Sequence, residues 1–168
     1  MKNFNSPLRR LLPVALVSAG LSATSVFAGP RDVPFKAELA ITEKLNYDPG
    51  HCPAYPYMTG VITGKGTASH LGKVSVSAIN CIFPTPPTFT FTEGQLKLTA
   101  ANGDELRATF HGSLTPTGTK DVYMLQGPYK IMGGTGRFAG ASGHGTLQGE
   151  ENLATQEGTI EATGTISY

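Results

Sequence analysis

From Phe35 onward the chain alternates between apolar and polar positions. Phe35, Ala37, Leu39 and Ile41 share one parity, while Lys36, Glu38 and Thr42 share the other. That two-residue period is the mark of a strand with one buried face. The same reading places strands at about 34–47, 58–71, 73–83, 88–101, 105–115, 122–132, 144–152 and 157–167. Turn signals separate them: a loop rich in Pro and Gly from Asp48 to Pro56, Gly72, and then Pro84, Pro86 and Pro87, which are expected to end the third strand. Asn102-Gly103 is the dipeptide suited to a type I′ hairpin turn. Pro116 to Lys120 is a further turn, and glycines cluster from Gly133 to Gly145. No apolar stripe at helical spacing persists over three turns, and glycine and threonine, which recur throughout, disfavour helix.

Eight consecutive strands joined by short links predict one all-β domain over residues 29–168. The expected architecture is a single antiparallel eight-stranded barrel, mostly up-and-down. Closure removes the sheet edges that would otherwise template aggregation. The interior of such a barrel is filled by side chains or holds one small ligand. Strand parity alone leaves both open.

The residues before the first strand carry a different pattern. Lys2, Arg9 and Arg10 precede an apolar stretch from Leu11 to Ala23, and Val26-Phe27-Ala28 follows with small residues at its first and third positions. That order predicts a signal peptide over residues 1–28, cleaved after Ala28, and an exported protein, periplasmic or extracellular. The stretch is shorter than the roughly 20 apolar residues of a membrane span and contains Pro13, so no span is expected after cleavage. Cleavage leaves ten basic against twelve acidic residues, a net of −2. This balance excludes the basic footprint of a nucleic-acid binder.

Cys52 and Cys81 are the only cysteines. Outside the cytoplasm an even pair most simply forms one disulfide; free thiols, or metal ligation together with His51, are the alternatives. None of His51, His70, His111 and His144 falls at a zinc-motif spacing, so no metal site and no cofactor is expected. The parity of His111 with Arg107 and Thr109 points it to solvent. Gly134-Thr135-Gly136-Arg137-Phe138-Ala139 matches a loose dinucleotide fingerprint, but the parallel βαβ context is missing. Gly140-Ala141-Ser142-Gly143 falls a residue short of a nucleophile elbow.

The run Gly133-Gly134-Thr135-Gly136-Arg137-Phe138-Ala139-Gly140-Ala141-Ser142-Gly143 resembles the glycine-rich turn of the allene oxide cyclase and dirigent barrels. Gln126-Gly127-Pro128-Tyr129 upstream is similar to a stretch of the cyclases. Glu38-Leu39, Glu43 and Asn46, running into Gly50 and Pro53-Ala54-Tyr55, is similar to their first strand and loop. The resemblance implies the same eight-stranded barrel. It also implies that Glu43 and Asn46 correspond to a cavity glutamate and asparagine, and Cys81 to a cavity cysteine unless it is bonded to Cys52. Dirigent-like barrels associate, which makes a homo-oligomer a further expectation. Independently of the family, Gly133, Gly134, Gly136 and Gly140 permit a tight structural turn, with Phe138 folded back as an apolar plug at one end of the barrel.

Glu43 shares the parity of Phe35, Ala37, Leu39 and Ile41, which points its carboxyl inward. A carboxyl on an apolar wall has a raised pKa and can act as acid or base. Tyr57, Tyr123 and Tyr129, with Tyr47 and Tyr55, are candidates to line a mouth for a small apolar molecule. The function expected is that of an exported, non-catalytic barrel binding such a molecule. The alternatives are a cyclase- or isomerase-like enzyme using the cavity, and an envelope or matrix component working through its outer surface.

Overall fold

A computed structural model describes residues 31–47, 50–53 and 55–168; the signal peptide expected over residues 1–28 lies outside them. The described chain is a closed barrel in which eight antiparallel strands follow one another in sequence order. They are β1 (Val33–Asn46), β2 (Met58–Ala68), β3 (Gly72–Thr85), β4 (Thr88–Ala100), β5 (Glu105–Pro116), β6 (Val122–Gly134), β7 (Ser142–Asn152) and β8 (Glu157–Ser167). One 3₁₀ turn, Gly136–Phe138, sits between β6 and β7. The ring closes where β1 pairs with β8, from Val33 opposite Ile166 to Thr42 opposite Glu157. Among the described residues no helix is long and apolar enough to cross a membrane.

Two turns differ from expectation. Ala100 donates to the carbonyl of Asp104 at 2.8 Å, Gly103 donates to that of Ala100 at 3.0 Å, and Gly103 alone of this turn has positive φ, 88°. This is a type I turn closed by a glycine bulge rather than type I′, because Asn102 stays out of the left-handed region. Nor does Pro84 end β3. The strand runs through Pro84, paired with Phe89, to Thr85, and only Pro86 and Pro87 make the turn. Close to a hairpin end a missing N–H is tolerated, and here Thr88 Oγ1 donates to the Thr85 carbonyl at 2.8 Å.

The inward parity builds one core. Phe35, Ala37, Leu39 and Ile41 of β1 meet Val74 and Val76 of β3, Leu98 of β4, Phe110 and Leu114 of β5, Ile131 of β6 and Ile166 of β8, all buried. The bore is too narrow for side chains at every inward position. Gly145 of β7 and Gly164 of β8 are register partners, and a Cβ on either would run into the Tyr129 ring or hydroxyl at 2.7 Å. Their missing side chains form the notch that seats Tyr129, whose ring also contacts Phe35 at 6.2 Å. The cavity left in the middle, lined by Phe35, Leu98, Leu106, Tyr129, Ile131 and Leu147 among others, is about 20 Å³. That is room for about one water.

The 3₁₀ turn closes the end of the barrel at which β1 begins and β8 finishes. Phe138 is 1% exposed, with its ring 5.0 Å from Tyr168, so it does plug that end. Thr135 donates to the Glu105 carbonyl at 2.9 Å, and Glu105 donates back to Thr135 Oγ1 at 2.9 Å. Gly136 has φ 55°, and the Asp104 carboxylate occupies the space its Cβ would need. Gly140 meets neither constraint.

Tyr129 Oη is buried and has no hydrogen-bond partner. Truncating the ring should therefore cost far more than removing the hydroxyl. In urea unfolding, Tyr129→Ala is expected to lose about 3–5 kcal/mol, whereas Tyr129→Phe should match or exceed the parent, because an unsatisfied polar group is removed.

Candidate functional site

The opposite end of the barrel, where the β1–β2, β3–β4, β5–β6 and β7–β8 connections lie, is where the core turns polar. Glu43 of β1 points inward as its parity predicts and is 3% exposed. Asn80 of β3 and Glu151 of β7 point to the same place and are 4% and 3% exposed. Gly60 of β2 completes the cluster from below. A Cβ there would collide with Glu43 Oε1 and Asn80 Oδ1, so only glycine leaves room for both side chains.

The Glu43 and Glu151 carboxyls are close enough to interact, so a proton on one of them removes their mutual repulsion. Burial first, and the Glu151 carboxyl second, push Glu43 up to about 9, with the Asn80 amide acting in the opposite sense. Burial likewise raises Glu151. Glu43 Oε1, Asn80 Oδ1 and Glu151 Oε2 are buried without hydrogen-bond partners. The cluster is thus a carboxylic acid pair that holds its proton at neutral pH, a state in which a carboxyl can donate. The groove outside the wall that is lined by Thr42, Glu150, Thr155 and Glu157 reaches Glu151 but not Glu43.

Asn46 does not join Glu43. It is exposed on the opposite parity, opposite Thr59 of β2, because three residues along a strand reverses the face. Asn80 supplies the amide instead. Asn80 shares the parity of Val74, Val76 and Ala78, and Glu151 that of Leu147, so the alternation that found Glu43 also marks these two.

Cys81 is not a cavity residue. It lies between the inward-facing Asn80 and Ile82, points outward, and is bonded to Cys52 with a Cα–Cα distance of 5.5 Å. The bond straps the β1–β2 connection across the outside of β2 and β3, and Tyr57 packs there against Phe83 at 4.9 Å. The tyrosines form no common mouth. Tyr57 is on the outer wall, Tyr123 packs edge-on against Phe89 at 5.5 Å, and Tyr129 is in the core. Tyr47 and Tyr55 are exposed and contact each other. His111 and His144 are exposed, His70 is half-buried with Nε2 3.0 Å from the Pro34 carbonyl, and His51 lies beside the disulfide.

No family model matches the chain, and no curated protein shows significant similarity to it.

The acid pair sets a pH dependence whose sign is fixed. A carboxyl whose folded pKa lies above its unfolded value binds more protons folded than unfolded in the interval between the two. The contribution of the pair to stability is then greatest below the unfolded carboxyl range, falls as pH rises from about 4.5 towards 9, and levels off above. Thermal unfolding from pH 5 to 9 should show a falling melting temperature, and Glu43→Gln should flatten the slope and melt higher than the parent at pH 9. A parent whose melting temperature rises across that interval would contradict the buried pair.

Proposed function

We propose that the chain is an exported, non-catalytic barrel of the allene oxide cyclase and dirigent type, and that it works as a self-associating structural component through its outer wall. The observation that carries this reading is the filled interior. A cavity of about 20 Å³ is an order of magnitude below the roughly 300–1,000 Å³ of small-molecule pockets, which supports a role for the outer wall over one for a ligand held inside. The leader-like order of residues 1–28 and the cysteine pairing support export.

A larger concavity lies outside. A shallow trough of about 1030 Å³ crosses the wall over β1, β2, β7 and β8. One register row runs through it: Lys65, Ala40, Thr159, Glu150 and Met124, from β2 around to β6. Ala40 forms a low floor, the basic end lies on β2 and the acidic end on β7. A two-fold axis running along the strands above the Ala40–Thr159 pair sets Lys65 of one copy over Glu150 of the other, twice. The row is therefore complementary to itself in the isologous sense.

A second reading, an isomerase with Glu43 as its acid, draws on one observation: a buried carboxyl protonated at neutral pH. It requires a substrate path to Glu43, whereas the outer groove at this end is lined by Glu151 and not by Glu43.

Light scattering tests the first reading. The exported chain should scatter as a dimer, Lys65→Glu as a monomer, and Lys65→Glu combined with Glu150→Lys as a dimer again. Single surface ion pairs contribute little, but the reversal places two like-charge contacts in one interface. A parent that stays monomeric at high concentration, or a dimer indifferent to Lys65→Glu, overturns the reading.

A further inference from the structure

The barrel end that holds Glu43, Asn80 and Glu151 carries three buried oxygens with no donor facing them. Glu43 Oε1, Asn80 Oδ1 and Glu151 Oε2 all lack a hydrogen-bond partner, although each residue is more than nine-tenths buried. Among the described residues no lysine, arginine or histidine forms a salt bridge with either carboxyl. Buried charges are ordinarily paired or bound to a metal. Asn80 is the independent sign of a ligand, because charge balance cannot account for a neutral amide. Its unpartnered oxygen is aimed at the same spot as the Glu43 carboxyl: one Cβ on Gly60 would overlap both. Gly60 is the register partner of Asn80 across β2 and β3, so the missing side chain keeps that space for the oxygens alone.

We propose that this end of the barrel is a calcium site, with the Glu43 and Glu151 carboxylates and the Asn80 amide oxygen as its protein ligands. The donors are all oxygen, which suits hard cations and disfavours zinc and copper, with their preference for nitrogen and sulfur. Ca²⁺ accepts six to eight oxygens at about 2.3–2.6 Å in a flexible shell, carboxylates bound through both oxygens included. Mg²⁺ demands a near-ideal octahedron and keeps several waters, for which a closed barrel end has little room. Two carboxylates and an amide can offer five oxygens. Water completes the shell from the outer groove, which reaches Glu151. The same groove is the way in, and Glu150 and Glu157 on its wall draw a cation towards Glu151.

The two charges of Ca²⁺ neutralise both carboxylates, and the proton that the pair otherwise holds leaves as the ion binds. The ligands come from β1, β3 and β7, and β8 lies between β7 and β1 in the ring. A bound ion therefore fastens the β1–β8 seam from inside. Extracellular calcium modules bind at about 10⁻⁴–10⁻³ M, the range expected for a chain that works outside the cytoplasm.

The test uses the whole chain, disulfide intact and stripped with a chelator, in a slightly alkaline buffer. Calorimetric titration with CaCl₂ should show one Ca²⁺ bound per chain, and excess Ca²⁺ should raise the melting temperature by roughly 3 °C or more. MgCl₂ at the same ionic strength should shift it far less. Glu43→Gln should keep the fold by circular dichroism and lose the Ca²⁺ response, and Asn80→Ala should weaken binding about tenfold. Glu150→Gln combined with Glu157→Gln should retain most of the shift. A parent that Ca²⁺ leaves unmoved, or that Mg²⁺ stabilises equally, overturns the proposal. So does a Ca²⁺ response that survives Glu43→Gln, since the ion would then sit on the outer carboxylates instead.

Discussion

The hydrogen-bonded seam between β1 and β8 is what every other feature depends on. Along it Ala37 faces Ala68 on one side and Ala162 on the other, so β1 is an interior strand although it comes first in the sequence. Unpaired, the two strands would present rows of backbone donors and acceptors to solvent or to other chains. Paired, they leave the sheet without an edge and fix the bore at a width that eight strands allow. That width then decides which residues fit inside. Tyr129 enters only because Gly145 and Gly164 withhold their side chains, and the core that results leaves a void no larger than a water.

The same narrowness explains the acid pair. Three polar side chains converge at one end, and water has little room to solvate them, so burial and their mutual repulsion favour a retained proton over two charges. Glu43 and Glu151 come from β1 and β7, strands separated by β8 around the ring. Their contact therefore reaches past β8 across the β1–β8 seam and exists only when the barrel is closed. The disulfide has a complementary place on the outer wall at the same end. Joining residues 29 apart, it restricts the unfolded chain by about 3–4 kcal/mol in the chain-entropy account.

Most of this was legible from alternation alone. The parity of Phe35 to Ile41 placed the first strand and turned Glu43 inward, and the count of eight consecutive strands led to the barrel. Asn80 and Glu151 carried the same signal on β3 and β7. What alternation does not contain is the stagger between strands that brings residues 43, 80 and 151 to one level, since that depends on register around the whole ring. Asn46 shows the limit of matching by resemblance: its residue type suited the cavity and its parity did not. Asn102-Gly103 and Pro84 show another limit. The dipeptide serves two turn types equally well, and a proline near a hairpin end loses a hydrogen bond that the ladder hardly needs.

Whether the interior is an enclosed core depends on the seam, and amide hydrogen exchange measures the seam directly. With the barrel closed, amides of β1 and β8 that face each other should be protected as strongly as those shared by β4 and β5 in the middle of the chain. Rapid exchange confined to the facing amides of β1 and β8, with the rest of the sheet protected, would mean an open sheet and would contradict the account.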